Sequence, residues 1–425
     1  MPDHGCCLSK MAIQLKTLPN GLRIVSLQVP ALRTAYLTSV VQAGSALDPP
    51  HQKGMAHLVE HLTRRHYYDI LKTIPARLKT AYLNKLVHLN ATTYQDYTVY
   101  SSSAPAELLR DLIRFEAVGW DRRSWTQDSV NTYRTHVLKE IERKPVRYPA
   151  ADLYSRLYRR IFHPHPYASD PYGDSKDLGR IRLEDCRHFC ERFYGSDRIV
   201  LALASPYSAD LVQPLLRKHF GCLSPSRTGN PRFPQPNPPK NRHQVLKAAN
   251  AAGSYLVAGF RVPPFFAALE TSAAYILNEY FSRIIRRHSP LSFGHLPILK
   301  EFGLWEVTLC SRRLHAAGLG KSFHREIEKI RGSPEPPDDF LRFSRAAPNI
   351  LSKTFEKPGK MSEMLCLFEL FGGGWRNLPE FQKRLRQVQW GHVHRFAKNH
   401  LEPDKAWSVA VEFSRRSRAG AGVLE

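Results

Sequence analysis

His57-Leu58-Val59-Glu60-His61 is the stretch that decides how this chain is read. In a helix, residues four apart lie on one face, a turn above each other, so both imidazoles can reach one tetrahedral metal ion. Glu60 lies beside that face and can act on a metal-bound water without being a ligand. The order H-x-x-E-H reverses the commoner H-E-x-x-H helix of zinc proteases. A catalytic zinc takes three protein ligands and keeps one position open, so the pair needs a third. Downstream, residues 128–143 read as helix and carry Val137-Leu138-Lys139-Glu140-Ile141-Glu142, in which Glu140 is the better candidate.

With that third residue the chain resembles the pitrilysin and mitochondrial-processing-peptidase family of zinc peptidases, the inverzincins. Between His61 and Glu140 lie 78 residues, close to the family's gap. Further matches run along the chain in the family's order: Leu18 to Val25, Gly44 to Asp48, Lys53 to Ala56, Asn90 to Thr93 with Tyr97 to Tyr100, His165-Pro166-Tyr167 with Gly173, Glu184-Asp185 with Phe193-Tyr194, and Val388 to Pro403. The resemblance implies an α+β fold of two related domains, each a mostly antiparallel β-sheet with helices packed on one face. It also implies a zinc-dependent endopeptidase with Zn2+ held by His57, His61 and Glu140. Glu60 would take a proton from the attacking water and return it to the leaving amine. Asn90 and Ala91 would lie on a strand edge that pairs with an extended substrate backbone.

Composition sets the frame. A chain of 425 residues, 42% hydrophobic, can bury a sizeable core and is long for one domain. The run from Ser224 through Pro231, Pro234, Pro236, Pro238 and Pro239 to Asn241 reads as an extended connector, because proline fixes φ and removes donors. The expected organisation is a disordered extension over 1–11 (with Met11 a possible true start), a zinc-binding domain over 12–223, a linker over 224–244, a second peptidase-like domain over 245–415 and a flexible tail over 416–425. The N-terminus has neither the apolar core of a secretory signal nor the arginine-rich pattern of a transit peptide. No run approaches the 18 or so apolar residues of a membrane span. Seven cysteines form no framework, and Cys186 and Cys190 read as buried free thiols. The expected location is cytoplasmic.

The net charge of +24 favours acidic partners. No nucleic-acid-binding signature accompanies it, and runs such as Arg283 to Arg287 and Lys383 to Arg386 read as solvated helix faces. An acidic leader peptide or an acidic partner subunit is the expected complement.

Departures from the family pattern shape the rest. Where members carry a glutamate supporting the site, this chain has Tyr133, which can hydrogen-bond a ligand but adds no charge. The small-residue turn after the motif is replaced by Arg64-Arg65-His66-Tyr67-Tyr68, with His66 read as a surface residue. The second half of related enzymes supplies an arginine and a tyrosine that bind the substrate carbonyl and the tetrahedral intermediate. Here Lys300 and Glu306 of Lys300-Glu301-Phe302-Gly303-Leu304-Trp305-Glu306 stand in their places, and a carboxylate cannot donate to an oxyanion. Ser289 to Pro297 reads as an insertion before that motif, and Gly372-Gly373-Gly374 as a helix-ending loop. An intact zinc half beside an eroded second half implies the catalytic subunit of a heterodimer, with a non-catalytic paralogue supplying the missing arginine and tyrosine. Two alternatives stand beside it: a non-catalytic structural or assembly subunit of the same family, and a basic peptide-binding module.

Overall fold

A computed structural model describes residues 12–64, 72, 74–147, 150–227, 229, 231–248, 253–266, 270–287, 291–355 and 357–413. The expected N-terminal extension, His66 and the expected C-terminal tail lie outside them. The chain packs as two compact units: 1–142 with 170–232 and 352–378, and 143–169 with 233–351 and 379–425.

The first unit is built on a six-stranded sheet. Its strands are β1 (Ala12–Thr17), β2 (Arg23–Gln28), β3 (Thr34–Val41), β4 (His88–Thr93), β5 (Thr98–Pro105) and β6 (Ile199–Ser205), in the order β1-β2-β6-β3-β5-β4. All pairings are antiparallel except β2 with β6. Strand β6 (Ile-Val-Leu-Ala-Leu-Ala-Ser) is buried along its whole length, as a central strand covered on both faces must be. On one face Leu37, Tyr100, Leu201 and Leu203 pack with Leu58, Val59 and Leu62 of the helix Met55–Thr63 and with Leu112, Phe115 and Phe189 of two others. The other face is covered by the helix Pro358–Phe371, whose Cys366 Sγ lies 3.5 Å from the Val200 carbonyl.

The second unit repeats this plan. Its strands are β7 (His243–Ala248), β8 (Ser254–Val262), β9 (Phe293–His295), β10 (Gly303–Ser311) and β11 (Trp407–Phe413), in the order β7-β11-β8-β10-β9, again with one parallel pair, β7 with β11. Strand for strand β7, β11, β8, β10 and β9 follow β2, β6, β3, β5 and β4. On one face Phe260 and Trp305 stack at 6.0 Å and meet Phe281 and Phe323 of the helices Thr271–Arg286 and Ala316–Gly332. On the other, Gly259 leaves room for Leu157 and Ile161 of the helix Ala151–Phe162; a Cβ there would stand 3.4 Å from each.

The fold is thus α+β with two mostly antiparallel sheets. Each unit takes one helix from the opposite half of the chain, Pro358–Phe371 in the first and Ala151–Phe162 in the second. Compact units and contiguous halves therefore do not coincide, although the Pro-rich run carries no helix or strand before His243 among the described residues. The stretch read as an insertion, Ser289 to Pro297, holds β9, the edge strand matching β4. Three other readings agree with the structure. Cys186 and Cys190 are buried and free. Arg283, Arg286 and Arg287 are exposed on their helix. Gly372 ends the helix Pro358–Phe371, with Gly373 and Gly374 at φ 72° and 116°. No described helix is long and apolar enough to cross a membrane.

Candidate metal centre

The motif forms the helix Met55–Thr63, buried at every position. Nine residues make a marginal helix in isolation, so its stability comes from packing and from its N-terminus. Asp48 caps that end from outside, its two carboxylate oxygens accepting from the Gly54 amide (2.7 Å) and the Ala56 amide (2.8 Å). Burial pushes the Asp48 carboxyl up to about 7, against those two donors, which favour its charged form. Gly54 stands at φ 99°, and a Cβ on it would lie 2.9 Å from Leu178 and 3.1 Å from the Gly173 Cα. Only glycine fits there.

Glu140 comes from the helix Gln127–Arg147, close to the span expected from sequence. Its Oε2 lies 3.4 Å from His57 Nε2 and its Oε1 3.6 Å from His61 Nε2, while the two Nε2 atoms are 3.2 Å apart. Tetrahedral zinc with bonds of about 2.0–2.1 Å needs ligand atoms about 3.3 Å apart. The triangle fits that ion. Its third donor is a carboxylate rather than a thiolate, as catalytic rather than structural zinc sites have it. His57 Nδ1 lies 3.4 Å from the Tyr172 carbonyl, which selects the tautomer with a bare Nε2 facing the other ligands. Burial pulls the His57 pKa down, but Glu140 and Glu60 outweigh it and raise the value above that of an ordinary histidine. Burial likewise pushes Glu140 up, and the two imidazoles overcome this to hold it well below the usual carboxylate range.

Glu60 lies with the two histidines, the three donor groups within 4.8 Å of one another. Its Oε2 accepts a 2.6 Å hydrogen bond from Thr93 Oγ1. These residues open on a cavity of about 370 Å³, also lined by Asn90, Ala91, Tyr172 and Arg64. Asn90 and Ala91 belong to β4, the edge strand of its sheet, as expected. Tyr133 is buried two turns before Glu140 on the same helix, its ring 5.5 Å from that of His136. It belongs to the hydrophobic core and is not among the residues lining the cavity.

Asp48, Thr93, Tyr172 and the pair Arg64–Glu116 are the parts that sequence reasoning missed. Asp48 and Thr93 sit inside matched motifs, but nothing local says what their side chains touch. Arg64 is buried against Glu116 and stacks 4.5 Å over Tyr100, so the turn after the motif begins with an internal ion pair. Its partner, 52 residues on, carries no local signal. In the second unit Glu306 is buried, 2.6 Å from His295 Nδ1, and Glu301 Oε2 lies 3.2 Å from His165 Nε2.

Two histidines and Glu60 on one buried helix, with Glu140 brought to them from a second, define a zinc-peptidase centre of the inverted-motif class. Comparison with known proteins agrees. The profile described as "Insulinase (Peptidase family M16)" matches residues 23–156, and "Peptidase M16 inactive domain" matches 180–343. The probable mitochondrial-processing peptidase β subunit of Schizosaccharomyces pombe is 25% identical over 323 residues, 70% of this chain and 69% of that one. An uncharacterized zinc protease of Mycobacterium leprae is 29% identical over 213 residues, 48% of this chain and 45% of its own length. The crystal structure of a protease from Helicobacter pylori superposes with a TM-score of 0.80 at 18% identity, covering 95% of this chain and all of that one. The chain belongs to the peptidase M16 (insulinase/pitrilysin) family of zinc proteases, and it keeps that family's H-x-x-E-H group whole at His57, Glu60 and His61.

Proposed function

We propose that this protein is the zinc-bearing catalytic subunit of a heterodimeric endopeptidase that cuts unfolded or leader-type peptides in the cytoplasm. One observation carries the reading: three donors from two helices at tetrahedral spacing, beside the Glu60 carboxylate and the edge strand β4. Zinc bound there supplies Lewis-acid activation of a water and of the scissile carbonyl. The chain's own residues do the rest. An extended peptide adds to the outer edge of β4, where Asn90 and Ala91 hold its backbone and so read shape rather than sequence. The Glu60 carboxylate takes the proton released as water attacks, then delivers it to the departing amine. Tyr133 supports the Glu140 helix from within the core.

The partner follows from what the second unit lacks. Glu306 is buried and committed to His295, and Lys300 stands where the family has arginine. A paralogous subunit carrying that arginine and tyrosine would complete the oxyanion-binding half. A net charge of +24 suits an acidic leader as substrate. The test is reconstitution. The isolated chain should hold one zinc and cleave a fluorogenic leader peptide feebly, and a co-purifying family member should restore cleavage. Vigorous cleavage by the isolated chain would remove the heterodimer; absence of zinc would favour the structural-subunit reading.

A further inference from the structure

Glu60 poses a problem that the motif does not solve. Its carboxylate lies within 4.8 Å of both histidine donors, on a side chain with three free torsions. Carboxylates are good zinc ligands. A modest swing would let Glu60 close the fourth position, which must stay open for water. Something must hold it back.

Thr93 is placed to do so. An ionised carboxylate only accepts, so the 2.6 Å contact between Thr93 Oγ1 and Glu60 Oε2 is a donation from the threonine. It occupies one oxygen and leaves the other for a proton. The donor itself is rigid. Thr93 is the last residue of β4 and pairs with Thr98 of β5 across a tight turn, in which the Tyr94 amide bonds the Tyr97 carbonyl at 2.8 Å. That turn is clamped: the Ser45 and Ala46 amides bond the Tyr94 and Gln95 carbonyls, both at 2.9 Å. The approach is so close that a Cβ on Gly44 would stand 2.3 Å from the Tyr94 oxygen. Thr98 Oγ1 bonds the Ala43 carbonyl at 2.8 Å, and the rings of Tyr94 and Tyr97 stack at 4.7 Å. The hydroxyl facing Glu60 thus hangs from a hairpin end with little freedom of its own.

We propose that Thr93 is a positioning residue that keeps Glu60 a proton acceptor and prevents it from becoming a fourth metal ligand. This rests on the zinc-peptidase reading and extends it to what separates a base from a ligand. Valine is isosteric, β-branched and at home in a strand, so Thr93→Val removes the donor and little else. Neighbours of this kind change metal affinity by about 10–100-fold. Here the sign is reversed from the usual one: losing the neighbour should tighten the metal.

The experiment challenges zinc-loaded full-length chains with a chelator and follows zinc release, with cleavage measured on the assembled enzyme. Thr93→Val should release zinc about tenfold more slowly than wild type and lose about 10²-fold in kcat at unchanged KM. Thr93→Ser, which restores the hydroxyl, should behave as wild type in both. In a Glu60→Gln background, the valine substitution should leave zinc release unchanged. Release at the wild-type rate by Thr93→Val, or slowing that persists without the Glu60 carboxylate, would overturn the inference while leaving zinc binding and the proposed peptidase standing. Faster release would also overturn it, since Thr93 would then merely support the ligands. A wild-type chain that takes up no zinc would overturn the peptidase reading itself.

Discussion

The two units share one strand plan and use it differently. In each, a helix follows the central antiparallel strand and turns one face toward the edge strand. In the first unit that helix, Met55–Thr63, carries His57 and His61 four residues apart. In the second, Thr271–Arg286, the same spacing is taken by Asn278 and Ser282. Asn278 Oδ1 accepts from the Trp305 indole at 3.1 Å, and Ser282 Oγ accepts from the Gly294 amide of β9 at 2.8 Å. The second unit spends its polar pair on its own framework; the first leaves two imidazoles facing a distant carboxylate and a cavity. Architecture supplies the position, and residue type decides whether it holds a metal.

The comparison breaks most severely if the first helix is given the second's residues. His57→Asn combined with His61→Ser should leave a folded chain by circular dichroism, with no bound zinc by elemental analysis and no cleavage. Residual zinc would mean that other side chains hold the ion. Next in size, Glu60→Gln keeps the three ligands and removes the base. Its kcat should fall by about 10²–10⁴-fold at full zinc occupancy, and wild-type turnover would dismiss Glu60 as the proton carrier.

In the second unit the same kind of change costs stability instead of chemistry. Asn278→Ala strands the buried Trp305 indole N–H and should destabilise folding by about 1–3 kcal/mol in denaturant titrations, with zinc content unaltered. A neutral effect would show that the polar pair does not brace that unit. The smallest expected effect is a pH slope. Partial burial pulls the His295 pKa down, but the Glu306 carboxylate outweighs it and raises the value above 6.5. The stabilisation is therefore full below about pH 6.5 and is lost as pH rises through the higher folded value. Thermal unfolding midpoints should fall over that window in wild type, and this component of the slope should vanish in Glu306→Gln.

How far sequence could see follows from where the information lies. The motif helix was legible because a four-residue spacing is local, and Glu140 because the family's gap brings it within reach. The edge-strand position of Asn90 and Ala91 was legible through a strand motif ending at a turn. Thr93 stood in that same motif, yet its hydrogen bond reaches Glu60 on a helix 33 residues earlier. Arg64 read as part of a divergent turn because Glu116, which makes it internal, lies across the fold. The interleaving of the units was not legible at all: the helix Ala151–Phe162 is amphipathic and the helix Pro358–Phe371 is apolar around most of its surface, and neither pattern names the sheet it will cover. The repeat was hidden for a related reason. The four-residue pair is His57 and His61 on one helix and Asn278 and Ser282 on the other, so no shared residue type marks the repeat.

The central claim is a single zinc ion bound by His57, His61 and Glu140 together. Anomalous diffraction at the zinc edge from crystals of the purified chain tests it most directly. The account predicts one peak at about 2.0–2.2 Å from both Nε2 atoms and from a Glu140 oxygen. A peak that leaves Glu140 unengaged, or no peak between the two imidazoles, would contradict it.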